Sequence, residues 1–520
     1  MEFTIPLFIV YVNEIWEKSG DFAIFVGVAS YCSNEKSKNE NFAPRVSRQE
    51  GYCPGNVDIT REIRYDIQIE KTTRMWVKEG DFFVKHDLPL QGCPCGKNHG
   101  AAIDEVLIGS GVIRDLPEFV RHYGAKRPFL LADVNTFAAA GGAVCATLKS
   151  ENLPYSQYVF PQKALEPDEH AVGAAVMHFD PKCDIIIGIG SGVINDIGKI
   201  LSNLTHLKYI IVATAPSMDG YASATSSMSM DGLKTSLNSR CADVIVGDID
   251  ILKNAPLHML KSGIGDMLAK YVSIAEWRIA HLITGEYYCE AVAQLIRDAV
   301  KKCVDNAAGL MNRDEEAVRA VFEGLVIGGI AMAYAGVSRP ASGVEHYFSH
   351  VWDMRGLEFG TKVDLHGIQC AMATASAIKL YDHVRKIRPD REKAERYVES
   401  FSYDVWREEL KAFLGASADT MIALEAKEGK YDKSAHPARF ARIEENWDGI
   451  LRILEQELPG YAAFARIMET IGVPTDLAAL DVDPATARQT FRATKDIRDK
   501  YVLSRLAWDL GVLEELCALL

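Results

Sequence analysis

The sequence predicts an α/β chain in three parts: an N-terminal extension of uncertain structure over 1–100, a parallel-sheet domain over 101–255, and an all-helical C-terminal domain over 256–520. Three observations predict it. Short, continuously apolar runs alternate with helical stretches between Glu105 and Leu252. Strand signals nearly vanish after Pro256, and no sustained periodicity appears before about residue 74. Strands that are apolar throughout and joined by helices are buried on both faces, which is the condition of a parallel sheet. At 520 residues, 48% hydrophobic and 25% charged, the chain has globular composition and room for two domains or more.

The first 74 residues have a polar, basic centre at 33–49 and read as an appendage; one explanation is that translation begins at Met75. Cys93-Pro94-Cys95-Gly96 with His99 offers soft ligands of the kind zinc accepts. No second Cys or His pair sits nearby in sequence to complete a tetrahedron, so a turn with two free thiols is expected there. Strands are expected at 106–109, 129–133, 158–160, 184–188 and 209–212, with helices at 114–123 and 168–178 between them. Asp231-Gly232 among Ser- and Thr-rich segments signals a hairpin. From Pro256 onward Ala, Leu, Glu, Arg and Lys recur at helical spacing to the C-terminus.

Charge excludes some functions. Fifty-seven Lys and Arg against 71 Asp and Glu leave a net charge of −14, so no general attraction to nucleic acid or an anionic membrane is available. No segment approaches the ~20 consecutive apolar residues of a spanning helix. The apolar run at 5–12 follows Glu2 rather than a basic residue, which argues against a signal peptide. Eleven cysteines, odd in number and mostly scattered singly, fit free thiols in a reducing compartment, and the cytoplasm is the expected location.

Two constellations carry chemistry. Gly188-Ile189-Gly190-Ser191-Gly192-Val193-Ile194-Asn195-Asp196 follows a strong strand and opens a helix, where backbone N–H groups bind a pyrophosphate in Rossmann-like folds. Asp133 closes the second strand, as a ribose acceptor or as the N-cap of the next helix. The loop Thr214-Ala215-Pro216-Ser217-Met218-Asp219-Gly220 leaves the fifth strand toward the same crevice. The second constellation is Asp266, which alone reads as a helix N-cap, with His346, His350 and His366. His346 and His350 share a helix face, and three of the chain's thirteen histidines fall within 21 positions. One carboxylate and two imidazoles leave open positions on a divalent ion, but spacing does not say which two histidines are ligands.

Together these motifs resemble those of the iron-containing alcohol dehydrogenase and dehydroquinate synthase-like superfamily, and within it the AraM-type glycerol-1-phosphate dehydrogenases. The resemblance spans about 100–520. It rests on the turn at 188–196, on Pro216-Ser217-Met218-Asp219-Gly220-Tyr221, on Gly265-Asp266-Met267-Leu268-Ala269-Lys270, on Arg339-Pro340-Ala341-Ser342-Gly343-Val344-Glu345-His346 and on Leu365-His366-Gly367. It implies catalytic metal ligation by Asp266, His346 and His366, the ion being zinc or nickel, with iron possible. It places NAD or NADP against Asp133, Gly190, Ser191, Gly192, Val193, Ile194, Asn195, Asp196, Thr214, Ala215, Pro216, Ser217 and Ser223. Substrate falls to Asp219, Asp266 and His350.

The implied reaction interconverts dihydroxyacetone phosphate and sn-glycerol 1-phosphate by hydride transfer at C2, in a homo-oligomer with a dimer favoured. Lys270, one turn from Asp266, and Arg339, just before the His346 helix, are candidate cations for the phosphate; either also suits an ion pair. The alternatives are dehydrogenation of an unphosphorylated polyol such as glycerol, or a non-catalytic nucleotide- or metal-binding relative.

Overall fold

The computed structural model describes residues 8–18, 21–30, 74–78, 92–230 and 233–520. The chain divides into two compact units, Met1–Gln68 and Ile69–Leu520. In the first, β1 (Phe8–Lys18) pairs antiparallel with β2 (Asp21–Ser30), with a register shift between Val12 and Ile15. The sequence pattern assigns no element to these segments, and the polar stretch 33–49 lies outside the described residues.

The second unit contains a seven-stranded, wholly parallel sheet. Its strands are β3 (Arg74–Lys78), β4 (Glu105–Gly109), β5 (Pro128–Asp133), β6 (Ser156–Phe160), β7 (Ile185–Gly190), β8 (Lys208–Ala213) and β11 (Val244–Asp248). They lie in the order β3-β4-β11-β8-β7-β5-β6. All five strands expected from the apolar runs are present. Two more join them. β3 extends the sheet beside β4, so the segment around Met75 is part of the fold. β11 enters between β4 and β8 from a stretch that reads as hairpin in the sequence. A hairpin does form just before it: β9 (Thr225–Met230) pairs antiparallel with β10 (Leu233–Asn238).

Alternation along the strands splits the sheet's core in two. Ile186, Tyr209, Ile211 and Ile245 face the layer continuous with the helical half, while Ile185, Ile187, Ile210, Val212 and Val246 face the opposite layer. Both sets are buried, each such side chain contributing about 1.5–3 kcal/mol. Chain order reverses between β7 and β5, since β6 lies beyond β5 and β8 beyond β7. Such a reversal opens a crevice at the carboxyl ends of the strands.

From Leu257 onward the described residues form helices and no strand. α1 (Gly192–Thr205) belongs to the sheet layer and follows β7. The helices that build the site are α2 (Leu257–Thr284), α3 (Glu290–Asp305), α4 (Glu315–Ala335), α5 (Val344–Phe359) and α6 (His366–Val384). Among the described helices α4 alone has the length and apolarity to cross a bilayer, and 89% of its most apolar window is buried against protein.

Candidate functional site

α1 begins where β7 ends, at the reversal crevice. Its N-cap Ser191 makes no side-chain cap; instead Ser191 Oγ lies 2.6 Å from Ser217 Oγ, and Tyr221 donates to it at 3.2 Å. Gly192 and Val193 open the helix with their N–H groups uncapped by any side chain, an arrangement suited to a pyrophosphate. Ile194 is core. Asn195 and Asp196 brace the neighbouring loop: Asn195 Nδ2 donates to the Gly220 carbonyl at 3.1 Å, and Asp196 pairs with buried Lys199 at 2.7 Å. Thr214 N donates to the Gly190 carbonyl at 3.1 Å, tying the ends of β7 and β8 together, with Ala215 buried behind it. Ser223 Oγ lies 2.9 Å from Thr225 Oγ1. Asp133 is a helix cap, its Oδ1 accepting from Asn135 N at 2.8 Å and Thr136 N at 3.0 Å. The reading of Asp133 as a cap is thus realised.

Asp266 is no N-cap. α2 starts nine residues earlier at Leu257 and runs through Gly263 and Gly265 without a break. Those glycines serve close packing: a Cβ on Gly263 would stand 1.9 Å from the Pro216 carbonyl oxygen of the loop after β8, one on Gly265 would stand 2.4 Å from the Gly367 carbonyl oxygen, and one on Gly367 would stand 1.9 Å from that of Ser262. The close crossing of α2 and α6 brings Asp266 to the first turn of α6, where His366 stands.

Asp266 is fully buried. Its Oδ1 accepts from Lys270 Nζ at 2.7 Å and its Oδ2 from Asp219 N at 2.9 Å. Lys270 also reaches Asp219 Oδ2 at 2.7 Å. Burial by itself would raise the Asp266 pKa, but the Lys270 ammonium and the two histidines outweigh it and hold the carboxyl below its ordinary range. Conversely, burial would lower Lys270, and Asp219 and Asp266 keep it above its usual value.

His346 sits in the first turn of α5. Its Nδ1 lies 2.8 Å from Glu345 Oε1, so the ring hydrogen points at that carboxylate and the Nε2 lone pair faces Asp266 Oδ1, 3.5 Å away. A proton on Nε2 or a metal ion would bridge the two atoms. The span matches the ~3.4 Å that separates N and O ligands on a tetrahedral ion. His366 Nδ1 is held by Ser349 Oγ at 3.0 Å, and its ring centre lies 5.0 Å from that of His346. Cys370, one turn along α6, completes a group with His346 and His366 whose ligand atoms all lie within 4.8 Å. Burial would raise the Cys370 thiol pKa, yet His346 and His366 beside it bring it below the ordinary value. The residues present therefore fit a divalent ion.

His350 lies one turn beyond His346, its ring centre 6.0 Å from that of His366. Burial, the charge of His366 and that of Arg498 hold its pKa well below the ordinary histidine value. Lys234 of β10 and Arg498, which donates to Ser236 of the same strand at 3.2 Å, bring positive charge to bear on it. Neither cation is evident from spacing, since both come from segments remote in sequence.

The two cations that spacing does suggest are committed elsewhere. Lys270 is locked between carboxylates. Arg339, 1% exposed, grips Glu286 with Nε at 2.6 Å and Nη2 at 2.5 Å, and donates from Nη1 to the Tyr501 carbonyl at 3.1 Å. The ion-pair reading is realised for both, buried rather than at the surface.

A bare helix terminus at the reversal of a parallel sheet and a buried Asp and His cluster on the helices suit an NAD(P)-dependent oxidoreductase acting on CH–OH groups, and the relatives show that class. Residues 107–256 match the iron-containing alcohol dehydrogenase family. A glycerol-1-phosphate dehydrogenase [NAD(P)+] of Halalkalibacterium halodurans is 33% identical over 293 residues, 56% of this chain and 73% of that protein. A Bacillus licheniformis protein of the same name is 27% identical over 82% of this chain and 94% of its own. The fold is that of the sulfoacetaldehyde reductase from Bifidobacterium kashiwanohense, at a TM-score of 0.52 and 14% identity over 81% of this chain and 98% of that one. The chain belongs to the glycerol-1-phosphate dehydrogenase family within the iron-containing alcohol dehydrogenase superfamily.

Proposed function

We propose that the protein interconverts dihydroxyacetone phosphate and sn-glycerol 1-phosphate with NAD or NADP. The observation that carries the substrate assignment is that two cations from other segments, Arg498 and Lys234, bear electrostatically on buried His350. A phosphate tail needs such charge, and a plain polyol does not.

In this reading residues 101–255 hold the dinucleotide and 256–520 the metal and substrate. The α1 N–H groups receive the pyrophosphate, the Asp133 oxygen not used in capping receives the ribose, and the 214–217 loop and Ser223 line the remainder. Asp266, His346 and His366 would hold a divalent ion, zinc or nickel by preference, which would supply Lewis acidity at the C2 oxygen, with a bound nicotinamide supplying the hydride chemistry. Glu345 and Ser349 keep the two imidazoles oriented. Lys270 keeps Asp266 ionised and holds Asp219 toward the substrate, while neutral His350 donates to or accepts from a substrate oxygen. Enclosure of these groups excludes water from the reacting centre.

The test compares NADH and NADPH oxidation by dihydroxyacetone phosphate and by dihydroxyacetone, with zinc- or nickel-loaded protein. A charged hydrogen bond contributes about 1.5–3 kcal/mol, so kcat/KM should favour the phosphate ester by roughly 10- to 150-fold or more. Equal kcat/KM for the two substrates would move the assignment to polyol dehydrogenation. No turnover with any divalent ion would leave a binding protein.

A further inference from the structure

Remote from the histidine cluster, the structure completes a set of ligands that the sequence leaves short. Cys93 to Gly96 form a tight turn in which Gly96 N donates to the Cys93 carbonyl at 2.9 Å and Gly96 takes φ +82°. His99 folds back over this turn. Cys289, the residue that precedes α3, arrives from 190 positions further along the chain.

The spacings are those of a coordination shell. Cys93 Sγ lies 3.7 Å from Cys289 Sγ, Cys95 Sγ lies 3.3 Å from His99 Nε2, and Cys289 Sγ lies 3.5 Å from the same nitrogen. All four ligand atoms fall within 4.8 Å of one another. A tetrahedral zinc ion, with bonds of about 2.3 Å to sulfur and about 2.05 Å to nitrogen, sets sulfur–sulfur distances near 3.8 Å and sulfur–nitrogen distances near 3.6 Å. The surroundings match as well. His99 Nδ1 meets the Tyr334 carbonyl at 3.0 Å, which places the ring hydrogen there and turns the Nε2 lone pair toward the three sulfurs. The Tyr287 hydroxyl donates to Cys95 Sγ at 3.4 Å. Cys93, His99 and Cys289 are buried.

We infer that Cys93, Cys95, His99 and Cys289 form a structural zinc site, separate from the catalytic cluster. Four protein ligands leave no open position, which is the mark of a structural rather than a catalytic ion. The ion joins the loop that leads into β4 to the start of α3, and through His99 to the end of α4. It also anchors the 285–289 loop, whose Glu286 grips Arg339 at the entry to the His346 helix.

The test measures metal content and sulfur coordination of the full chain. Zinc-saturated protein should hold two equivalents. Cys289→Ser and Cys95→Ser should each hold one fewer and melt at lower temperature. Zinc X-ray absorption of the unmodified protein should show sulfur neighbours at about 2.3 Å, and these should persist in Cys370→Ser, which separates them from the thiol of the histidine cluster. Unchanged stoichiometry in both serine variants would overturn the inference. Should those variants not fold, the unmodified protein still decides: a zinc shell of nitrogen and oxygen alone, or rapid alkylation of Cys93, Cys95 and Cys289 in the native state, overturns it.

Discussion

Lys270 holds Asp266 from one turn away on the same helix, Nζ to Oδ1 at 2.7 Å, with both side chains shut off from solvent. The same ammonium takes Asp219, so two carboxylates from different parts of the chain share one buried cation. A buried charge is tolerable only when paired, and here the pairing also keeps a prospective metal ligand ionised.

Removing that cation should therefore be costly. Lys270→Met preserves bulk but leaves Asp219 and Asp266 facing each other uncompensated, and breaking a buried pair costs about 3–5 kcal/mol. Equilibrium urea unfolding should show a loss of that order together with lower metal affinity. A variant as stable as the parent would show that the two carboxylates have other support.

Ligand and substrate roles on α5 should separate in metal analysis. Asp266→Asn, His346→Ala and His366→Ala should each lose the catalytic ion and turnover while nicotinamide binding to the sheet, read by fluorescence, survives. His350→Ala should keep the ion and chiefly raise KM for dihydroxyacetone phosphate. An empty His350→Ala beside a loaded His366→Ala would reverse the assignment.

The phosphate should feel Lys234 and Arg498. Lys234→Ala and Arg498→Ala are expected to raise KM for dihydroxyacetone phosphate by roughly ten-fold or more each, the worth of one charged hydrogen bond. Turnover of dihydroxyacetone should stay unchanged. Arg339→Ala, in contrast, should lower the melting temperature, because it strips Glu286 of its partner. Equal losses on both substrates in the Lys234 and Arg498 variants would give these residues a structural role instead.

Glu276 should write a pH dependence into stability. Burial, and then the neighbouring Glu345, push its carboxyl up from 4.5 to about 8. Between those values the folded protein keeps a proton that the unfolded chain releases. Stability from this group is therefore present in full below about pH 4.5 and lost as pH rises toward 8. Glu276→Gln removes the titrating carboxyl and keeps an oxygen for Leu503 N and the Tyr381 hydroxyl. Its amide meets Val344 N, which donates to Oε2 in the parent, so a loss independent of pH is added. Its melting temperature should gain on that of the parent steadily from pH 5 to pH 8. Parallel curves would mean that the carboxyl titrates as it does in the unfolded chain.

The parts of this protein that were legible in the sequence are those whose physics is local. β7 and β8 announce themselves because a strand buried on both faces must be apolar at every position, and the turn after β7 is readable because a helix start and its small residues adjoin in sequence. The change to helices after Pro256 follows from periodicity alone. β11 is equally apolar, but its placement between β4 and β8 depends on partners that no local pattern names.

Asp266 shows the limit most clearly. Beside two glycines it looks like a helix start, and only the crossing of α2 and α6 at Gly265 and Gly367 shows that those glycines serve close approach and that the helix runs on. Arg339 and Lys270 present charge to any reader of the chain, yet Glu286, Asp219 and the fold around them decide that the charge is spent internally. Cys93, Cys95 and His99 lack a fourth ligand until Cys289 is brought 196 positions back along the chain to meet them. Composition and periodicity determine which segments become strand, helix or turn, since those depend on neighbours a few residues apart; which side chains share a cation, an ion or a pocket is decided by packing between distant segments, and only the tertiary structure contains that.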